Sequence, residues 1–449
     1  MSNPYGNKAI WLIAGPMMLS GISIPLLGLV DTAVMGHLSD AKYLAAVAVG
    51  SNIFGILFMS LNFLRMGTTG LTAQAFGEKN QLKQVAGLKQ PLIISLVISV
   101  GLILFQYPIL ELALIVLGPG ENVSSLTREY FTIRIYSAPF ALANYVVIGW
   151  LLGMQNARGP LIITLVLNGA NILMDLIFVV GMGMTVDGVA IATLIAEFLA
   201  LITGTYFVIN TLKKLGLEIK FLNGSGGVTL NRIFDVNGSL FIRSVTLMFI
   251  FAFITAQGAR IDTLTLATNA LLMNFLFLLA YGLDGIACAA EALSGKAFGE
   301  KNILGLKQLV RGTLRWSIGL AALFTLLYFG SGKQIIEMLS SIQDVQESAE
   351  KYLPWLIFLP SAAVLAFLYD GIFVGLTRAR EMCLVMLLSA CFVFLPCWYF
   401  TKNWGNHSIW FALIAFMSFR SIGMHALYSR LIEKNLAVPS ETNHSKISE

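Results

Sequence analysis

The chain is a near-continuous series of apolar stretches, each long enough to cross a bilayer as a helix, which takes about 20 residues. They fall near 9–36, 43–70, 88–112, 128–153, 159–183, 187–211, 231–258, 263–293, 308–330, 352–376, 382–400 and 405–432. No water is available in hydrocarbon, so each span must satisfy its own backbone hydrogen bonds. Helices do this alone. A membrane β-barrel would instead show alternating segments of about 10 residues. Composition agrees, with 57% apolar and 12% charged residues, where a soluble domain carries about 25% charged. The first stretch is too long for a cleavable signal peptide and lacks a small-residue cleavage site. The expectation is an all-α membrane protein of about twelve spans.

Lys and Arg collect on the cytoplasmic side of membrane helices. Counting the N-terminus, the loops after even-numbered spans and the C-terminus as one side gives 19 basic residues; the other side has 6. Both termini are therefore expected in the cytoplasm. The basic residues flank spans and form no patch for nucleic acid. Cys288, Cys383, Cys391 and Cys397 lie in or beside spans without CxxC spacing, so they read as buried apolar thiols. His37, His407, His425 and His444 show no metal-ligand spacing, and neither metal nor cofactor is expected.

The sequence AFGEKN occurs at 75–80 and again at 297–302, an offset of 222. At the same offset GWLLGMQNAR (149–158) aligns with GIFVGLTRAR (371–380). Two matches at one offset indicate duplication. Six spans per copy leave both copies in the same orientation, related by an axis along the membrane normal. The expected organisation is a first lobe over 1–212, a polar linker over 213–230, a second lobe over 231–433 and a polar tail over 434–449.

A charge in the bilayer interior is costly, so acids within spans are candidates for function. They are Asp31, Asp175 and Glu197 in the first lobe, and Asp284, Glu291 and Asp370 in the second. None meets another acid at the 222-residue offset. Arg243 and Arg420 lie within second-lobe spans and are expected to neutralise two of its acids. Arg65 and Arg134 lie nearer span ends, where snorkelling to the interface is expected. The first-lobe acids are thus less obviously paired, and proton coupling is placed at Asp31 and Asp175. Asn168, Asn171 and Asp175 are three and four residues apart and share a helix face. Thr193 and Glu197 do so on span 6. Asn168, Asn171, Thr193 and Glu197 are the candidate cavity residues, against the plainer reading of interhelical hydrogen bonding. Pro16 and Pro25 each remove a hydrogen bond from span 1 and predict kinks, with Pro16 the candidate hinge.

The segments LLGLVDTAVMGHL (26–38), LTAQAFGEKN (71–80), NGANILMD (168–175) and GVAIATLIAE (188–197) resemble the multidrug and toxic compound extrusion (MATE) transporters, most closely the DinF-type branch. The resemblance implies two six-helix lobes around a V-shaped cleft. It also implies export of bulky, often cationic small molecules from a bacterial inner membrane, in exchange for protons or sodium. Asp31 resembles the span-1 acid that takes up the proton, and Asn171, Asp175 and Thr193 resemble its hydrogen-bonded partners. Pro16 resembles the bending proline. Asp284 and Glu291 resemble second-lobe acids that other branches use for cations, and with Asp370 they mark a candidate second cation site. The expected function is a monomeric proton-coupled antiporter; sodium coupling and lipid-precursor flipping are the alternatives. A channel fits the duplicated lobes less well. No HExxH, GxSxG or phosphate-binding GxxxxGK[ST] motif points to an intramembrane enzyme.

Overall fold

The computed structural model describes residues 3–35, 40–216 and 230–436; of the side chains at 24–35, 230–234 and 433–436 nothing is described. Eleven helices among the described residues are long and apolar enough to span a membrane, and the 29-residue first helix precedes them. In order they are α1 (Asn7–Met35), α2 (Ala41–Gly77), α3 (Gln81–Leu104), α4 (Glu121–Gly153), α5 (Arg158–Gly181) and α6 (Val186–Lys214). The second lobe holds α7 (Leu230–Ile261), α8 (Thr263–Gly299), α9 (Ile303–Leu339), α10 (Gln343–Gly375) and α11 (Ala379–Trp404), then α12 (Asn406–Leu436). The expected third span was set too far along the chain. Gly101 to Phe105 close the last turn of α3, and a separate helix, Gln106–Leu117, follows. The long helices also exceed the expected lengths: α9 has 37 residues and α10 has 33. Polar turns at their ends lengthen the helix without adding hydropathy. Most of the expected linker and tail, 217–229 and 437–449, lies outside the described residues.

The duplicated motifs are helix stops and starts. Lys79 and Lys301 adopt left-handed backbone at φ 54° and 56°. The amides of Asn80 and Asn302 reach back to the carbonyls of Ala75 and Ala297, at 3.1 and 2.9 Å. This is a Schellman closure with lysine at the position glycine usually takes. The next residue then caps the following helix: Asn80 Oδ1 accepts from the Lys83 amide at 3.0 Å, and Asn302 Oδ1 from Gly305 at 2.8 Å. The second repeated motif ends α4 and α10 in the same way. Gln155 and Thr377 are left-handed at φ 63° and 53°. The Asn156 and Arg378 amides bond the Leu151 and Phe373 carbonyls at 2.9 and 2.8 Å.

These four turns lie at one end of the bundle, termed here the basic end. The distribution of buried apolar residues shows how the lobes meet. One cluster, including Leu64, Trp150, Leu152, Ala289, Leu293, Tyr369 and Phe373, draws on both lobes near the basic end. Toward the other end the cores are separate. Ile53, Phe54, Phe131 and Val186 belong to the first lobe; Leu272, Leu279, Leu356 and Trp410 belong to the second. Lobes that share a core at one end only enclose a cleft that widens toward the other. At the shared end α2 and α8 cross closely. A Cβ added at Gly77 would overlap the Lys296 carbonyl, and one at Gly299 would overlap the Gln74 carbonyl. Both pairs are related by the 222-residue offset.

Candidate functional site

In the first lobe α1 and α5 lie side by side, both running away from the basic end. Ser20 Oγ donates to Thr164 Oγ1 at 2.9 Å, and Asn168 Nδ2 donates to Ser23 Oγ at 2.8 Å. Further along α5, Asn171 Nδ2 makes a long 3.4 Å hydrogen bond to Thr193 Oγ1 on α6. Asn168, Asn171 and Asp175 are all buried, Asp175 to 1% exposure. The helical spacing of these three residues therefore turns a single polar face toward α1 and α6. Immediately after Asp175 the helix widens into a π-turn over Leu176–Gly181, a feature often found at functional sites and one that sequence spacing does not reveal. Ser20, Ser23 and Thr164 leave no mark in the sequence pattern, because hydroxyls in apolar helices carry no charge signal. The Asp31 side chain lies outside the described residues; its backbone belongs to α1. Pro16 and Pro25 lie within that same continuous helix.

Glu197 faces α4 rather than the stripe on α5. Asn144 Nδ2 donates to its Oε2 at 2.8 Å and to its carbonyl at 3.0 Å. Arg134 does not snorkel. Its Nη1 donates to Ser51 Oγ at 3.2 Å and to the Tyr130 hydroxyl, and its guanidinium stacks 4.7 Å from the Phe54 ring centre. The physical reason is helix length. Because α4 begins at Glu121, Arg134 is about 20 Å inside it.

The second lobe differs from its expected charge pairing. Arg243 and Arg420 both bind one carboxylate, Asp370, the latter through Nη2 to Oδ2 at 2.8 Å. Glu291 is served instead from the other lobe: Arg65 Nη1 stands 3.7 Å from Glu291 Oε2. Arg65 was also expected to snorkel, but α2 continues 12 residues past it to Gly77, about 18 Å, which holds it at the lobe junction. Its Nε donates to Asn62 Oδ1 at 3.2 Å, and its Nη1 lies 3.8 Å from Cys288 Sγ. Asp284 is exposed on α8. Glu291 and Asp370 thus have different direct partners. Among the described residues no group of three or more His, Cys, Asp or Glu side chains is placed to hold a metal ion.

Two parallel six-helix lobes joined at one end define a membrane transporter of the two-lobed class. The MatE family matches residues 16–177 and 240–400, one block in each lobe, and the chain belongs to this family of multidrug efflux transporters. It is 42% identical to the DNA damage-inducible protein F of Escherichia coli K12, over 94% of this chain and 92% of that protein. It is 20% identical to the multidrug export protein MepA of Staphylococcus aureus, over 91% and 90%. The fold matches an outward-facing multidrug resistance MATE family transporter of the MOP superfamily with a TM-score of 0.88, at 18% identity over 97% and 98% of the chains. It matches the Vibrio cholerae MATE transporter VcmN with a TM-score of 0.84, at 20% identity over 95% and 97%.

Proposed function

We propose that the protein is a proton-coupled antiporter that exports bulky, often cationic compounds, and that the coupling site lies in the first lobe. The observation that carries this reading is the register of α1 against α5. Ser20 pairs with Thr164 and Ser23 with Asn168, offsets of 144 and 145. Two helices running together at that offset bring the backbone of residue 31 level with residue 175. The acid on α1 is then at the same membrane depth as the buried acid on α5, one turn beyond Asn171. Two acidic residues at one level of neighbouring helices suit proton uptake and release, because like charges in a low-dielectric setting do not both ionise readily.

In this reading the basic end faces the cytoplasm, as the Lys and Arg bias favours, and the cleft opens outward. Protons reach Asp31 from outside. Neutralising it rearranges its contacts with Asn171 and Asp175, bends α1 near Pro16 and displaces the substrate. The lobes then rock inward, and proton release restores a carboxylate able to attract a cation. Asp370 is poorly suited to a second cation site, because two guanidinium groups already hold it.

The test is efflux of a cationic dye from proteoliposomes under an imposed pH gradient or sodium gradient. The wild type is expected to follow the pH gradient, and Asp31→Asn to lose that dependence. An Asp31→Asn protein that exports with full pH-gradient dependence refutes the scheme, and transport that follows only the sodium gradient replaces the coupling ion.

A further inference from the structure

The closure at the basic end contains polar contacts that neither the helix spacing nor the repeat explains. Gln74 on α2 is 4% exposed. Its Nε2 crosses to the second lobe and donates to the Gly375 carbonyl at 2.9 Å and to Thr377 Oγ1 at 3.1 Å. Gln155, in the turn between α4 and α5, crosses in the same sense, with Nε2 2.9 Å from the Ala292 carbonyl on α8. Arg65 reaches Glu291 from the same helix as Gln74, nine residues earlier, about 14 Å along α2. All three donors come from the first lobe, and all the acceptors belong to the second.

The duplication does not produce this arrangement. At the 222-residue offset Gln74 corresponds to Lys296, Gln155 to Thr377 and Arg65 to Ala287. None of these supplies an amide or guanidinium to the first lobe. Lys296 turns instead to Glu300, at 4.0 Å, and lies over the rings of Tyr5 and Phe76. The close approach of α2 to α8 at Gly77 and Gly299 brings backbone carbonyls of the second lobe within reach of short amide side chains. A side chain bonded to a backbone carbonyl across a lobe boundary adds nothing to the folding of either lobe alone. It acts on how the lobes sit together.

We propose that Gln74, Gln155 and Arg65 form a latch that holds the two lobes closed at the basic end. Its release accompanies every passage to the opposite orientation, so the latch sets the balance between the two open states. This inference rests on the alternating-access reading above. Gln74 and Arg65 are about 14 Å apart along α2, and Gln155 meets α8 beside Glu291 from the α4–α5 turn, so a rocking motion that parts the lobes at the basic end breaks all three contacts. Removing one lowers the barrier to opening without altering the first-lobe polar site.

The protein carries its own reporters. Cys288 is buried at the lobe junction beside Arg65, whereas Cys383 is buried and Cys391 is exposed on α11 of the second lobe. The experiment compares N-ethylmaleimide modification of these thiols, read by peptide mass spectrometry, in the wild type, Gln74→Ala, Gln155→Leu and the double variant reconstituted in vesicles. None of these substitutions touches Cys288. The latch predicts a several-fold faster modification of Cys288 in the double variant, an intermediate rate in each single one, and unchanged rates at Cys383 and Cys391. Unchanged Cys288 reactivity overturns it. So does an equal rise at Cys383, which signals loosening of the second lobe itself. Gradient-driven efflux by the wild type is measured in the same vesicles. Its absence refutes the transport reading, while its presence with an unmoved Cys288 refutes the latch alone.

Discussion

Replacing Arg65 by alanine leaves the Glu291 carboxylate without its counter-charge at the lobe junction. The side chain of Glu291 is 3% exposed and that of Arg65 is 19% exposed, with 3.7 Å between charged atoms. At an effective dielectric of about 20, that separation corresponds to an attraction of about 4 kcal/mol. Breaking a buried pair from one side costs about 3–5 kcal/mol, because an uncompensated charge remains. Arg65→Ala is therefore expected to lose that much stability. Glu291→Gln should lose less, about 1–2 kcal/mol, because Asn62 still accepts from the guanidinium and a neutral amide in place of a buried carboxylate leaves a smaller unmet cost. The double variant Arg65→Ala/Glu291→Gln should recover more than about 1 kcal/mol relative to the sum of the single losses, the signature of direct coupling. The measurement is equilibrium unfolding of the purified protein in mixed micelles, followed by helical circular dichroism, for all four members of the cycle. Strict additivity would refute the reasoning, since it would mean that the two side chains do not interact across the lobes.

Gly77→Val and Gly299→Val each place a side chain against a backbone carbonyl of the opposite lobe, which cannot rotate away. Each is expected to cost about 1–3 kcal/mol through overpacking and to raise Cys288 reactivity; a neutral outcome at both positions would argue against close packing there. Asp370→Asn leaves Arg243 and Arg420 sharing a neutral partner, with Arg420 at 5% side-chain exposure. A loss of about 3–5 kcal/mol in the same unfolding assay is expected, and an unchanged midpoint would exclude a structural role for the pair. Asn168→Leu removes the donor to Ser23 and should weaken dye efflux more than it lowers stability, because lipid-embedded hydrogen bonds contribute only about 0.6 kcal/mol on average. A stability loss that fully accounts for the lost efflux would assign Asn168 to scaffolding.

Span number, duplication and the polar face of α5 were legible because each is written in local sequence. A span needs a run of apolar residues, a repeat needs two matching strings, and a helix face needs spacings of three and four. The AFGEKN strings identified the repeat, and the structure gave them a physical role as paired helix stops and caps. The charges were harder. Arg65 and Arg134 read as span-end residues because hydropathy windows stop where polar turns begin, while the helices run on by about two turns. From sequence, Arg243 and Arg420 are expected to neutralise two of the three second-lobe acids, but three-dimensional packing puts both on Asp370 and brings Arg65 across from the other lobe to Glu291. Gln74 and Gln155 drew no notice as neutral amides beside a repeated loop.

Along one chain, hydropathy and repetition determine that about twelve spanning helices form and that they are expected as two like-oriented sets. These are properties of segments that each satisfy their own backbone in the bilayer. Which charges neutralise one another, and where the two lobes grip, depends on residues far apart in the chain, such as Arg420 with Asp370, Arg65 with Glu291 and Gln74 with the Gly375 carbonyl. Ion pairs and carbonyl contacts at that separation leave no periodic trace in sequence. They exist only once α2 and α8 have crossed at Gly77 and Gly299.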